Sequence, residues 1–244
     1  MNTDDFDAVL FDLDGVLTPT AEVHMMAWQK MFSEYLATRG VAEPYTESDY
    51  FDYIDGKPRY DGVRSFLASR EITLPEGSSD DPADAETVCG LGNKKNDVFA
   101  SVLENDGVTP YAGSVAFLDH LLTTDTQVAV VSSSRNAPAV LAAAGLADRF
   151  EVVVDGVVAA AEHLAGKPSP QTFLYAAEKL GVPAERAVVV EDAVSGVEAG
   201  HAGDFGLVIG VDRGVGADRL HQAGADLVVA DLADLLPSSD DPTS

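Results

Sequence analysis

Six short apolar runs, five of them closed directly by a polar residue, constrain this chain more than any other feature. Ala8–Phe11 stops at Asp12, Gln127–Val131 at Ser132, and 151–154 at Asp155. Further on, 187–190 stops at Glu191, 206–211 at Asp212, and Leu227–Val229 is the last run. Continuous β-branched runs of this kind suit strands buried on both faces of a parallel sheet. The stretches 115–122, 137–144, 170–180 and 196–202 between them have helical patterns. Strand followed by helix, repeated, predicts an α/β fold: a Rossmann-like, doubly wound parallel-sheet core. Ligands of such sheets bind beyond the carboxyl ends of the strands. The polar residues that close the runs fall there.

Residues 21–106 break this rhythm. Positions 24–38 predict an amphipathic helix with Met25, Trp28, Met31, Phe32 and Leu36 available for one face. Residues 63–69 and 98–103 predict further helices, and 77–85 is an acidic loop rich in Ser, Pro and Asp. No run of the core type occurs. The expected organisation is therefore a core of residues 1–20 and 107–236, with 21–106 as an all-helical cap inserted over the active site. A polar tail, 237–244, is expected to be disordered.

The chain has 41 acidic residues against 15 Lys and Arg, a formal net charge of −26. That balance excludes nucleic acid and anionic membrane as partners, because both are held by clustered cations. Any phosphate must be bound by a few local donors or by a metal. Cys89 is the lone cysteine, so no intrachain disulfide forms. Asp4, Asp5 and Asp7 stand where the basic segment of a secretory leader would be. No apolar run reaches the ~18 residues of a membrane span. The expectation is a cytoplasmic monomer that acts on a small molecule.

The chemistry starts at Asp12-Leu13-Asp14-Gly15. An aspartate at the end of a buried strand can attack phosphorus, and the phosphoaspartate splits one difficult transfer into two. A second carboxylate two residues on can protonate the leaving oxygen or deprotonate the incoming one. Alone, the motif is equally an ordinary Asp-Gly turn, and the other motifs decide. Ser132 can donate to a phosphoryl oxygen, and Ser133 to Asn136 extend a donor-rich loop. Lys167, set between Gly166 and Pro168, offers an ammonium to neutralise Asp12 and the transferring group. Glu191 and Asp192 close a strand beside the first, a hard-oxygen set suited to Mg²⁺. Asp192 also stands where it could cap the following helix.

In order, Asp12 to Gly15, Ser132, Lys167 and Glu191-Asp192 resemble the four motifs of the haloacid dehalogenase superfamily. The resemblance covers nearly the whole chain and implies the sheet core, the helical cap, and the roles just derived. It implies Asp12, Asp14, Ser132 and Lys167 as catalytic residues and Asp12, Asp14, Glu191 and Asp192 as the Mg²⁺ set. An acid at position 14 is absent from the dehalogenases and phosphonate hydrolases of that fold, which leaves phosphate-ester chemistry. The cap resembles the β-phosphoglucomutase-like subgroup through Thr20 to His24, Trp28, Gly56-Lys57-Pro58-Arg59 and Lys95-Asn96-Asp97. Pro19 departs from that pattern, where an acidic residue is usual. The resemblance assigns Thr20, His24, Trp28 and Lys95 to the sugar side of the site. It assigns Arg59, Ser134, Arg135 and Asn136 to a second, non-transferring phosphate. It implies interconversion of β-glucose 1-phosphate and glucose 6-phosphate through a bisphosphate. A sugar-phosphate phosphatase on the same residues, and more remotely an inactive binding protein, are the alternatives.

Overall fold

The computed structural model describes residues 6–237. The tail expected from residue 237 onward lies, Pro237 aside, outside these. The strands are β1 (Ala8–Phe11), β2 (Gln127–Val131), β3 (Val152–Val154), β4 (Ala187–Glu191), β5 (Leu207–Val211) and β6 (Leu227–Val229). They form one sheet in the order β3-β2-β1-β4-β5-β6, and every pairing is parallel. Four helices intervene after β1: α1 (Thr20–Arg39), α2 (Glu47–Tyr53), α3 (Arg59–Ser69) and α4 (Val88–Asp106). The remainder alternate with the strands: α5 (Ala112–Leu121), α6 (Ala137–Ala143), α7 (Gly156–Ala161), α8 (Gln171–Leu180), α9 (Val194–Ala202) and α10 (Ala217–Ala223).

The strands have no polar interior positions because both faces are covered. Val9 and Phe11 enter one apolar cluster with Phe117 and Leu118 of α5 and Val140 of α6. Their neighbours Ala8 and Leu10 enter a second, with Phe173 and Ala176 of α8 and Val197 of α9. The strand order reverses between β1 and β4, which opens a crevice beyond their carboxyl ends. Asp12, Glu191 and Asp192 sit at that reversal. The Asp12 amide extends the ladder by donating to the Val190 carbonyl at 2.9 Å.

Helices α1 to α4 have an apolar cluster of their own. Trp28, Met31, Phe32 and Leu36 of α1 meet Val63, Phe66 and Leu67 of α3, with Val88 and Leu91 of α4. The rings of Phe32 and Phe66 lie 4.0 Å apart at an interplanar angle of 38°. Each fully buried side chain of this size contributes roughly 1.5–3 kcal/mol. Ala27 and Phe99 reach instead into the sheet-side cluster and tie the helical unit to it. No helix among the described residues is long and apolar enough to cross a membrane.

Three short helices have no counterpart in the sequence-based expectation: α2, α7 and α10. They are 7, 6 and 7 residues long, too short for apolar periodicity to register. Capping residues mark the first two, whereas α10 starts after Gly216 with no side-chain cap. Thr46 and Asp49 form a capping box on α2, and the Asp155 side chain accepts from the Val157 and Val158 amides at the start of α7. Helix α4 also begins ten residues before the expected 98, because Thr87 Oγ1 caps it by accepting from the Gly90 amide at 2.9 Å.

Asp49 joins two of these helices. Both of its carboxylate oxygens accept from Arg70 Nη2 at 2.8 Å, and the side chains are each 7% exposed. Asp49→Ala would leave the Arg70 guanidinium buried without its partner. The expected loss is about 3 kcal/mol or more, seen as a lower urea midpoint.

Candidate active site

A buried ammonium organises the carboxyl edge of the sheet. Lys167 Nζ donates to Asp12 Oδ1 at 2.5 Å and to the Val131 carbonyl at 3.0 Å, and it pairs with Glu191. The other Glu191 oxygen accepts from the Asp192 and Ala193 amides at 3.1 and 3.2 Å. The position expected to let Asp192 cap α9 is filled differently: the cap residue is Ala193, with no side-chain bond. Glu191 takes up the free amides, which leaves the Asp192 carboxylate open to the cleft. Gly15, with φ +90°, makes room for it; a Cβ there would lie 1.8 Å from Asp192 Oδ2.

Asp12, Glu191 and Asp192 each present an oxygen within 4.8 Å of the others. Burial works against the Lys167 ammonium, but Asp12 and Glu191 outweigh it and hold it protonated above the ordinary lysine range. One ammonium does not balance the group. Burial first, and then the Asp55, Glu191 and Asp12 charges, push the Asp192 carboxyl well above its ordinary range. Burial and the Glu191 and Asp14 charges act the same way on Asp12, against Lys167. A buried, all-oxygen donor set with surplus negative charge fits a small divalent cation such as Mg²⁺.

Asp14, expected as a member of the Mg²⁺ set, has its carboxylate hydrogen-bonded by other groups. Its Oδ1 accepts from Thr20 Oγ1 at 2.5 Å and faces His24 Nε2 at 3.4 Å, while Oδ2 accepts from Ser132 Oγ at 3.3 Å. These partners turn the carboxylate from the acid cluster toward the helical insertion. Burial raises the Asp14 carboxyl, but His24, Thr20 and Lys95 together bring it down to about 2. His24 stacks on Phe99 at 4.1 Å, and its Nδ1 touches Lys95 Nζ. Burial and the Lys95 charge lower the His24 pKa. Burial, aided by Arg59, drives Lys95 well below the lysine range. Lys95 also lies 5.0 Å from the centre of the Trp28 ring.

A second set of donors borders the same cleft. Arg59 Nη2 donates to Asn96 Oδ1 at 2.6 Å, and Asn136 Nδ2 donates to the same oxygen at 2.7 Å. Ser134 orders this loop, its hydroxyl accepting from the Asn136 amide at 3.1 Å. The arginine ion pairs among the described residues involve Arg39, Arg64, Arg70, Arg149, Arg186 and Arg219, not Arg59 or Arg135. All the residues nominated from sequence line one cleft, except Thr20, Ser132 and Lys167. Those three stand behind its wall, bonded to Asp14 or Asp12.

Sequence reasoning missed Tyr50 and Asp55, which also line the cleft. Burial, with the Glu191 charge, pushes the Asp55 carboxyl up to about 7 against a bond from Tyr50, the Gly56 amide and Lys167. The available signal was adjacency: Asp55 precedes the Gly56-Lys57-Pro58-Arg59 motif directly.

Comparison with known proteins agrees with this geometry. The family model for haloacid dehalogenase-like hydrolases matches residues 6–204. A protein of Mycobacterium tuberculosis named β-phosphoglucomutase is 52% identical over 239 residues, 94% of this chain and 91% of that protein. One of the same name from Bacillus subtilis is 31% identical over 229 residues, 93% of this chain and 91% of that protein. The crystal structure of β-phosphoglucomutase from Clostridium difficile superposes with a TM-score of 0.74 at 25% identity, covering 95% of this chain and 93% of that one. A match of this extent, over the sheet and the helical insertion alike, makes the chain a member of the haloacid dehalogenase-like family and an enzyme.

Proposed function

We propose that the chain is a Mg²⁺-dependent β-phosphoglucomutase that works through a phosphoaspartate on Asp12. With Asp12 phosphorylated by a bisphosphate primer, Asp14 takes the proton of a sugar hydroxyl, whose oxygen attacks the phosphorus as its bond to Asp12 breaks. Asp12 then attacks the phosphorus at the other end of the bisphosphate, the bond from that phosphorus to the sugar oxygen breaks, and Asp14 returns the proton to that oxygen. An Asp14 carboxyl near about 2 supports its ionised state as the starting base. Ser132 would donate to a phosphoryl oxygen, and Lys167 keeps Asp12 oriented and its charge offset. Mg²⁺ held by Asp12, Glu191 and Asp192 would supply charge neutralisation at the phosphoryl oxygens.

The observation that carries the mutase reading is the second donor set. A bisphosphate must be held at both ends, and Arg59, Arg135, Ser134 and Asn136 offer a phosphate clamp with no carboxylate ion-paired to either arginine. Arg suits that role because its planar fork meets phosphate bidentately. His24, Lys95, Thr20 and Trp28 would face the sugar. The same proposal takes the helices α1 to α4 as a cap that excludes water, and the chain as a cytoplasmic monomer with no nucleic-acid or membrane partner.

The test is product identity. With β-glucose 1-phosphate and a catalytic amount of glucose bisphosphate, glucose 6-phosphate should form much faster than inorganic phosphate. Arg59→Ala should lower kcat/KM for isomerisation about 100-fold, the loss of roughly 3 kcal/mol expected for charged hydrogen bonds. Phosphate release that dominates for every sugar phosphate, unaffected by Arg59→Ala, would instead identify a phosphatase. Asp12→Asn should abolish either activity.

Metal binding has its own readout in thermal unfolding. Saturating Mg²⁺ at about 100 times its Kd should stabilise the metal-free protein by about 2.7 kcal/mol. Asp192→Asn removes a repelled carboxylate, so it should unfold at a higher temperature than the wild type without Mg²⁺. The order should reverse when Mg²⁺ is added.

A further inference from the structure

Two serine hydroxyls that no step above uses fasten the insertion to the sheet domain. Ser133 Oγ donates to the Gly56 carbonyl at 2.7 Å, and Ser195 Oγ donates to the Asp55 carbonyl at 3.0 Å. Ser133 follows β2 and Ser195 lies in the first turn of α9, after β4. Because β2 and β4 flank β1, the two donors reach consecutive carbonyls from opposite sides of Asp12. The approach depends on glycine. Gly56 has φ +68°, and a Cβ there would lie 2.2 Å from Ser195 Oγ and 2.9 Å from the Ala193 Cβ.

Neighbouring contacts cross the same boundary. Pro58 packs so closely on Gly166 that a Cβ there would lie 2.3 Å from Pro58 Cγ. Phe51 touches both the insertion cluster and the cluster of α8 and α9. Asp52 pairs with Arg219 of α10 at 3.0 Å, in the open where such a pair adds little. The strip 51–58 is thus a seam between insertion and sheet, and it leads directly into Arg59.

We propose that Ser133 and Ser195 form a latch that holds the insertion shut over Asp12 and so sets how often the phosphoryl group passes to a sugar hydroxyl and not to water. An aspartyl phosphate reacts with whichever oxygen reaches it, and closure decides which one does. Hydroxyl-to-carbonyl bonds suit a seam that must open in every turnover. Each has a small net worth, and on opening both hydroxyls and both carbonyls regain water. The two serines are positioning residues: they act through the loop backbone and touch no reacting atom. The partitioning readout rests on the mutase reading, whereas the latch itself can be measured without it.

The experiment uses Ser133→Ala, Ser195→Ala and the double variant in the full chain. With β-glucose 1-phosphate and catalytic glucose bisphosphate, phosphate released per glucose 6-phosphate formed should rise about threefold to tenfold in each single variant. The double variant should rise about thirtyfold, and Ser133→Thr, which keeps the hydroxyl, should restore the wild-type ratio. Acrylamide quenching of Trp28, the single tryptophan and part of the cleft wall, reports opening independently of any substrate. Quenching should increase in the double variant while it still unfolds in one transition, lowered by no more than about 8 °C from the wild type. Wild-type quenching in the double variant would overturn the latch. Increased quenching with unchanged partitioning would overturn its control over water. If the wild type isomerises no hexose phosphate, the mutase reading fails separately and quenching alone decides the latch.

Discussion

The site depends on one buried ammonium. Lys167 spends its donors on Asp12, Glu191 and the Val131 carbonyl, and so links the carboxyl ends of β1, β4 and β2. Three charges taken out of water are tolerable only when each has partners. The Glu191 carboxylate meets this condition through Lys167 and two amides, but Asp12 and Asp192 do not meet it fully. The protein alone thus leaves a deficit of positive charge at the switch point of its sheet. A cation bound among those acids, as proposed above, would answer that deficit.

The second carboxylate of the D-x-D-G turn belongs to a different system. Asp14 is bound from the core by Ser132 and Thr20, and it faces His24, which touches Lys95 of α4. Two aspartates two residues apart therefore end up in opposite conditions. Asp12 is crowded by acids, and Asp14 is surrounded by donors and brought down to about 2. The proposed nucleophile and base would thus be separated by environment, not by residue type, and the insertion supplies half of that environment.

This division explains what could be read in the sequence. The strands could be placed almost to the residue, because a strand covered on both faces has no polar interruption and its first polar residue marks its end. The acid pair was legible for the same reason, since strand ends fix what can meet at the crevice. Lys167 lies in a loop and was read from its setting between Gly166 and Pro168 and from the family resemblance. Asp14 was placed in the metal set by the family resemblance, and the spacing of the motif does not tell which way its side chain is drawn. Thr20 and Ser132 decide that, from 6 and 118 residues away. Helices α2 and α7 escaped because their evidence is a capping residue and not a period, and α10, with no side-chain cap, offers neither. Tyr50 escaped because the docking of α2 brings it to the site and no local pattern encodes docking. The only local sign of Asp55 was its adjacency to the Gly56-Lys57-Pro58-Arg59 motif.

The net charge of −26 gives the distal donors their meaning. A field of that sign opposes the approach of a phosphate, so the cleft must concentrate what positive charge the chain has. Lys57, Arg59, Lys95 and Arg135 line it and Lys167 stands just behind its wall, so a third of the 15 lysine and arginine side chains gather here. With 41 acids available, the easy outcome would be for each exposed arginine to find a carboxylate, as Arg64, Arg149 and Arg219 do. Arg59 is instead held by asparagine oxygens, which orient a guanidinium without neutralising it. A neutral clamp holding a cation in place, in so acidic a chain, is an arrangement that an incoming anion completes. It bears on the mutase reading because a monophosphate gripped at Asp12 would leave that cation unanswered.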